Sequence, residues 1–178
     1  MEELIDALDK FGNKTGIIKR KSEIKKDGDY HRAISVLIIN DNNEILMQKR
    51  SQNKKFYPNL WSLFVKGHIQ SKEDPISACI REIKEELGII VREEELKYLY
   101  TIKEKKREND YIENIFFDTY ILKKNIDLKK VIIEKDELSD VKYITVSKVL
   151  KLIKKKDKSL APNKQDYEII FKKIKTIN

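Results

Sequence analysis

Short runs of apolar residues separated by turn residues dominate the first third of the chain. Weak alternation over residues 4–9 and 16–18, on either side of a turn at Phe11-Gly12-Asn13, predicts an N-terminal β-hairpin. A charged stretch over 19–26 follows, which could be helical or irregular. Further strands are predicted at 31–39, at 45–47 after the turn residues Asp41-Asn42-Asn43, and at 61–65.

The clearest helix lies between Asp74 and Gly88. Asp74 is a favoured N-cap residue and Pro75 suits the first helical position. Gly88 suits the left-handed residue that follows a helix. At about 100° per residue, four aliphatic side chains form one stripe that we expect to face the core, namely Ile76, Ile80, Ile83 and Leu87.

The second half predicts strands at 96–103, 112–122 and 141–146, then amphipathic helices at 147–155 and 164–177. The pattern indicates one α/β domain over residues 1–178, with a mixed β-sheet and helices on both sides. In this interpretation, residues 1–28 are an N-terminal hairpin extension. Residues 147–178 form C-terminal helices, whose apolar side could cap the sheet or form a homodimer contact.

Composition narrows the function classes. The only cysteine, Cys79, excludes an internal disulfide. The sequence has neither a secretory signal nor an apolar run of about 18 residues. We therefore expect a cytoplasmic protein without a membrane partner.

The net charge is +8, with lysines concentrated toward the C-terminus. Because no aromatic-interleaved platform accompanies these lysines, the sequence disfavours nucleic acid as a partner. A positive surface would also attract a small diphosphate substrate.

Three glutamates crowd one side of the predicted helix. Glu82, Glu85 and Glu86 stand at i, i+3 and i+4, where their charges repel each other. Such a face is ordinarily just solvated, but clustered carboxylates are also the ligands that Mg²⁺ prefers beside a substrate phosphate. Upstream, Gly67 allows close backbone approach, and Glu73 could pair with Arg81 to brace the loop against the helix.

These residues resemble the signature of the Nudix family, G-x5-E-x7-R-E-U-x-E-E-x-G-U with U a bulky aliphatic residue. Nine specified positions agree, namely Gly67, Glu73, Arg81, Glu82, Ile83, Glu85, Glu86, Gly88 and Ile89. The resemblance implies an α/β/α sandwich and hydrolysis of a diphosphate linkage in a nucleoside diphosphate derivative.

The resemblance also implies a divalent metal, Mg²⁺ or alternatively Mn²⁺. Its ligands would be Glu82, Glu85 and Glu86, with Arg81 and Glu73 orienting them, and Gly67 is a further candidate ligand. Glu82 and Glu85 are both candidates for the general base. Glu113, on a predicted strand outside the signature, is a candidate ligand or base, although an ordinary edge-strand charge is an equal alternative.

Beyond the signature, residues 3–120 resemble the branch that includes isopentenyl-diphosphate isomerase, through His31-Arg32-Ala33, residues 45–51, Trp61 and Gly67-His68 among others. That branch offers isomerisation of an isoprenoid diphosphate as the alternative function. The isomerase, however, uses a cysteine where this chain has Lys66 and a glutamate where it has Ile115. The sequence therefore favours hydrolysis.

The same resemblance suggests Arg50 and Lys54 as substrate-binding residues, since both are suited to phosphate oxygens. Lys66, beside the signature loop, could bind phosphate in the same way, and His68, next to Gly67, could line the pocket. The substrate itself stays open, because the discriminating residues would lie in loops such as 104–110 and 124–137, and neither carries a readable signature.

Overall fold

A computed structural model describes residues 2–108, 111–162, 167, 169, 170, 172 and 173. Among them are nine strands and three α-helices with defined bounds. The strands are β1 (Leu4–Leu8), β2 (Lys14–Arg20), β3 (Tyr30–Ile39), β4 (Glu44–Arg50), β5 (Trp61–Ser62), β6 (Phe64–His68), β7 (Leu96–Glu108), β8 (Tyr111–Lys123) and β9 (Leu138–Thr145). The helices are α1 (Lys21–Asp27), α2 (Pro75–Leu87) and α3 (Val146–Lys154).

The described strands are hydrogen-bonded into one sheet, and the mixed α/β class predicted from the sequence is confirmed. β1 and β2 form the predicted hairpin, with Leu4 opposite Arg20. β3 pairs with β1, β4, β6 and β8, and β8 pairs in turn with β7. β7 runs to Glu108, whereas the sequence predicted a strand to residue 103 and a loop from 104. β9 begins at Leu138, three residues before the predicted start.

Contacts divide the chain into two compact units. Unit 1 comprises Met1–Val36, Lys66–Ile83 and Ile90–Ile121. Unit 2 comprises Leu37–Val65, Lys84–Ile89 and Leu122–Asn178. The interpretation of residues 1–178 as one domain stays a prediction. No described helix is long and apolar enough to cross a membrane.

In unit 1 the hairpin and α1 share a core, because Ile5 and Ala7 of β1 are buried together with Ile24 of α1. In unit 2 the centre is β4, whose Ile45, Leu46 and Met47 are all buried. β9 lies antiparallel beside it, with Ile45 opposite Ile144.

The C-terminal segment 164–177 lies partly outside the described residues. Of those described, Tyr167 and Ile170 are buried, and the Tyr167 hydroxyl donates to the Ala161 carbonyl at 2.8 Å. The sheet-capping role of this segment stays a prediction. The homodimer contact stays a prediction.

Local signals fix both ends of α2. The Asp74 carboxylate accepts hydrogen bonds from the backbone N–H groups of Ile76 and Ser77, each at 3.0 Å. At the other end Gly88 adopts φ +67°, and its N–H donates to the Lys84 carbonyl at 2.9 Å. The predicted N-cap and C-terminal glycine are therefore both confirmed.

The buried face of α2 differs from the predicted stripe. Ile83 and Leu87 are fully buried as expected, but Ile76 and Ile80 are only half-buried. The remaining buried positions include three that carry polar or ionisable groups, namely Cys79, Glu82 and Glu86.

In unit 2 the segment 131–137 contacts the end of α2. Ile132 N–H donates to the Leu87 carbonyl and Glu134 N–H donates to the Glu86 carbonyl, each at 3.1 Å. These donors satisfy two of the carbonyls that the end of a helix otherwise leaves without partners.

We predict that Gly88→Ala destabilises the protein more than Gly16→Ala. Both glycines have positive φ, +67° and +83°, so alanine strains the backbone at each by about 1–2 kcal/mol. A Cβ at Gly88 would also lie 3.0 Å from the Ile132 Cβ, whereas a Cβ at Gly16 meets nothing within 4 Å. Urea unfolding of the two variants measures the difference, and equal losses would contradict a packing role for Gly88.

Candidate active site

The guanidinium of Arg81 connects α2 to the loop that precedes it. Its Nε donates to Glu73 Oε1 at 2.8 Å and its Nη2 donates to Glu73 Oε2 at 3.0 Å, a two-pronged pair. Nη2 also donates to the His68 carbonyl at 2.9 Å. Glu73 in turn accepts from the Gln70 N–H at 2.9 Å. The brace that the sequence suggested between Glu73 and Arg81 is present.

Arg81 also holds the first of the three glutamates. Its Nη1 donates to Glu82 Oε1 at 2.7 Å. Burial disfavours the charge of Arg81, but hydrogen bonds and charges from Glu73 and Glu82 outweigh burial and raise the pKa of Arg81. The guanidinium therefore stays charged and fixes both carboxylates.

Glu82 lies directly against the backbone of Gly67. A Cβ placed on Gly67 would lie 1.9 Å from the Glu82 Cδ and 2.0 Å from its Oε1, far inside van der Waals contact. Only glycine leaves room for the carboxylate at this place. This contact explains why the signature has a glycine at position 67.

The three glutamates of α2 differ in burial. Glu82 and Glu86 are 8% and 7% exposed, while Glu85 is exposed. A solvated charged face, the ordinary explanation for such a cluster, would leave all three in water. The burial of Glu82 and of Glu86 therefore disfavours that explanation for these two side chains.

As they stand, no three His, Cys, Asp or Glu side chains among the described residues form a group that could hold a metal ion. Glu82 points to Arg81, and its oxygen is engaged there. The one-turn spacing of Glu82, Glu85 and Glu86 still lets their carboxylates approach each other after a change of rotamer. The space kept clear by Gly67 is where Glu82 lies.

Two histidines lie stacked in unit 1. The rings of His31 and His68 are 5.2 Å apart with an interplanar angle of 19°. Burial lowers the pKa of His31 to about 4 and that of His68 well below its ordinary value, so both rings are neutral at pH 7. The buried Nε2 atoms of both have no hydrogen-bond partner among the described residues.

Glu113 is engaged by a residue that the sequence did not single out as functional. Lys25 Nζ lies 2.6 Å from Glu113 Oε1, and both side chains are largely buried. Burial is the main cause of the lowered pKa of His31 and His68, and the charge of Lys25 lowers the pKa of both further. This pairing joins α1 to β8 and could not be read from separation along the chain.

The remaining predicted substrate-binding residues lie in different surroundings. In unit 1, Lys66 Nζ lies 4.2 Å from the centre of the Phe117 ring. In unit 2, Arg50 Nε donates to the Phe56 carbonyl at 3.0 Å, and Lys54 forms an ion pair with Glu137. The structure therefore brings Gly67, His68, Glu73, Arg81 and Glu82 together, and it places Arg50 and Lys54 in the other unit.

Comparison with known proteins shows the family and the fold. The model of the NUDIX domain matches residues 29–165. The chain therefore belongs to the Nudix family. Its computed fold is similar to the crystal structure of DR0079 from Deinococcus radiodurans, with a TM-score of 0.70, 18% identity, and coverage of 94% of this chain and 97% of that one.

Relatives fall into two functional groups. Nudix hydrolase 3 of Arabidopsis thaliana is 32% identical over 166 residues, covering 90% of this chain. The matched region is only 22% of that relative's length. Isopentenyl-diphosphate Delta-isomerase 1 of Photorhabdus laumondii is 37% identical over 111 residues, covering 62% of this chain and 61% of the relative. The chain is therefore a member of the Nudix family that is similar both to a Nudix hydrolase and to an isopentenyl-diphosphate isomerase.

We predict that Gly67→Ala destabilises the protein through Glu82. Overpacking of this kind costs about 1–3 kcal/mol, because the added Cβ must displace a carboxylate that Arg81 holds. Urea unfolding of the single and double variants measures the coupling. In a Glu82→Ala background the same substitution should cost less than about 0.5 kcal/mol. An equal loss in both backgrounds would show that Gly67 acts through its own backbone instead.

Proposed function

We propose that this protein hydrolyses a diphosphate linkage in a nucleoside diphosphate derivative, in a reaction that depends on Mg²⁺ or Mn²⁺. The observation that carries the proposal is the contact of buried Glu82 with Gly67 and Arg81. In this proposal, the two contacts hold Glu82 beside the glycine loop before a metal binds, and a merely solvated glutamate face lacks such contacts.

The residues present fit a hard divalent cation. In this proposal Glu82, Glu85 and Glu86 hold the ion through carboxylate oxygens, with the Gly67 backbone as a further ligand. When bound, the ion neutralises phosphate charge and makes a coordinated water more acidic. Binding through all three carboxylates requires Glu82 to leave its present contact with Arg81.

The other roles belong to the chain itself. Arg81 and Glu73 keep the loop and α2 in register, so that Gly67 and Glu82 stay adjacent. Glu82 or Glu85 accepts the proton of the attacking water, since exposed Glu85 is open to solvent and Glu82 lies at the glycine loop. Lys66 and His68 border that loop and are proposed to bind the diphosphate. Arg50 and Lys54 are proposed for the same role.

Glu113 stays a proposed outer ligand or base. Its carboxylate is paired with Lys25 at 2.6 Å, so this pair would have to open for Glu113 to act. Glu82 is likewise paired, with Arg81, whereas Glu85 is exposed to solvent. We therefore rank Glu85 before Glu113 as the base and keep Glu82 as the other candidate on the helix.

The isomerase is a second candidate because of the 37% identity to a curated isomerase. Moving a double bond requires a proton donor and a proton acceptor beside carbon. At the two relevant positions this chain has Lys66 and Ile115, and Ile115 is buried. Cys79 does not replace the missing thiol, because it is fully buried in α2 and burial raises its pKa.

We predict that Glu85→Gln lowers hydrolysis about 100-fold or more, since it removes an ionic ligand or the base. Glu85 is exposed, so the fold should persist. The assay follows nucleotide products by ion-exchange chromatography, from a panel of nucleoside diphosphate derivatives with Mg²⁺ or with EDTA. Isopentenyl diphosphate is tested in parallel.

The matched control is Glu94→Gln, another exposed glutamate, which pairs with Arg92 at 3.2 Å outside the signature. It should retain full activity. A folded wild-type protein that yields no nucleotide product across the panel, or a Glu85→Gln variant as active as wild type, would contradict the proposal. Conversion of isopentenyl diphosphate would favour the isomerase.

A further inference from the structure

A face of the sheet in unit 1 carries aromatic rings and cations that lie far apart in the sequence. Tyr30 and Arg32 of β3 point to the same side as Phe116 and Asp118 of β8. The Tyr30 and Phe116 ring centroids are 5.6 Å apart, and Arg32 Nη1 donates to Asp118 at 2.9 Å. We name this surface the Tyr30–Phe116 face.

β7, beside β8, adds a row of cations to the face. Alternate residues Lys103, Lys105 and Arg107 are all exposed, whereas the intervening positions are less exposed. Successive side chains of a strand point to opposite sides, so the three cations share one side. Lys103 Nζ lies 4.3 Å from the Tyr30 ring centroid and 5.1 Å from that of Phe116, which identifies the side as the Tyr30–Phe116 face.

The turn between β1 and β2 extends the face. Arg32 Nη2 donates to the Gly12 carbonyl at 3.4 Å, and Lys103 Nζ donates to the Lys10 carbonyl at 2.5 Å. These bonds hold the turn beside the aromatic rings. The neighbouring Phe11 is 75% exposed, and Lys10 Nζ lies 5.0 Å from its ring centroid. A large apolar ring is thus presented to solvent next to several ammonium groups.

Among the described residues of the face, cations outnumber carboxylates. Asp118 is engaged by Arg32 and by the Thr101 hydroxyl, at 2.9 and 2.5 Å. Among the described residues, no carboxylate forms an ion pair with Lys103 or Lys105. Hydrogen bonding from Lys105 lowers the pKa of the Tyr30 hydroxyl, and the charges of Lys103 and Lys105 lower it further. A surplus of positive charge therefore stands directly over the rings.

A purely structural role for the face would need only one lysine in cation–π contact with the rings. Such a role explains neither the row of three cations nor the 75% exposure of Phe11. Phosphate oxygens complement the row of cations, and an unstacked base complements the exposed ring of Phe11. Both features recur where proteins bind single strands, whereas the bases of a duplex are already stacked on each other.

We propose that the Tyr30–Phe116 face binds single-stranded nucleic acid. Lys103, Lys105 and Arg107 contact the phosphates, and Phe11 stacks on a base. The site is separate from the proposed hydrolytic residues, because His31, which alternates with Tyr30 and Arg32 along β3, stacks on His68 beside the signature loop. The inference does not depend on the proposed hydrolysis.

The test is fluorescence anisotropy with a fluorescein-labelled 12-nucleotide oligouridine in EDTA, so that no metal-dependent cleavage occurs. The double variant Lys103→Gln/Lys105→Gln should weaken binding at least about 5-fold. Removal of two phosphate contacts should also reduce the slope of log affinity against log salt by about 1.4. Thermal unfolding checks that the variant is folded.

The matched control is Lys129→Gln/Lys130→Gln, which removes the same charge from two exposed lysines in unit 2. It should leave affinity within about 2-fold of wild type. Equal weakening by both double variants would mean that the probe follows net charge alone, and it would overturn the proposal. So would an absence of binding by the wild-type protein at 50 mM salt.

Phe11 tests the stacking contribution separately. Phe11→Ala should weaken oligouridine binding about 5-fold or more, since stacking contributes about 1–3 kcal/mol per base, while Phe11→Tyr should retain it. A blunt 12-base-pair RNA duplex should bind more weakly than the single strand. Loss in Phe11→Tyr, no loss in Phe11→Ala, or tighter duplex binding would each contradict stacking on unpaired bases.

Two further measurements identify the ligand class and the site. Excess ADP should not displace the oligonucleotide, and Glu85→Gln should bind it as wild type does. Displacement by ADP or loss in Glu85→Gln would place the probe in the proposed hydrolytic site and overturn the inference. Vesicles containing 30% phosphatidylserine should not compete, and competition by them would favour a membrane surface instead.

Discussion

The guanidinium of Arg81 is the interaction on which the proposed active site depends. It is half-buried, yet it spans the two oxygens of Glu73, the His68 carbonyl and Glu82 Oε1. Partial burial of a cation costs free energy unless its N–H groups donate hydrogen bonds. All three nitrogens of the Arg81 guanidinium donate here. Without this cation, Glu73 and Glu82 would repel each other. The loop would then lose the bond that holds its His68 carbonyl to α2.

The consequence of this constraint is the position of Glu82. Arg81 donates to Glu82 Oε1, and the same oxygen lies where a side chain at Gly67 would stand. The absence of that side chain therefore leaves the carboxylate its room against the backbone. Gly67 and Glu82 are fifteen positions apart in the sequence, and this separation alone predicts no contact between them. The fold turns that spacing into van der Waals contact, and this explains why a glycine and a glutamate recur together in the signature.

Sequence reasoning succeeded where the determining interactions are local. Asp74 and Gly88 determine the ends of α2 through groups within four residues of themselves, so they could be recognised by type and spacing. The stripe on the same helix was partly wrong, because a helical wheel assigns burial by polarity. Glu82 is buried by its contacts with Gly67 and Arg81, while Ile76 and Ile80, nearer the beginning of α2, stay half-buried. The ion pair of Lys25 with Glu113 joins residues 88 positions apart, and only the tertiary fold determines it.

Alternation along β3 and β8 explains how one sheet carries two chemistries. His31 stacks on His68 beside the signature loop, and Glu113, an odd-numbered residue of β8, holds Lys25. The even-numbered residues Tyr30 and Phe116 contact each other instead and meet the cations of β7. A shift of register by one residue would move every side chain of the strand to the opposite face. His31 and Glu113 would then lie among the lysines, and the aromatic rings would lie on the side of the signature loop. Because His31 is buried on one side of the sheet and the Arg32–Asp118 ion pair forms on the other, these two features together fix the register of this part of the sheet.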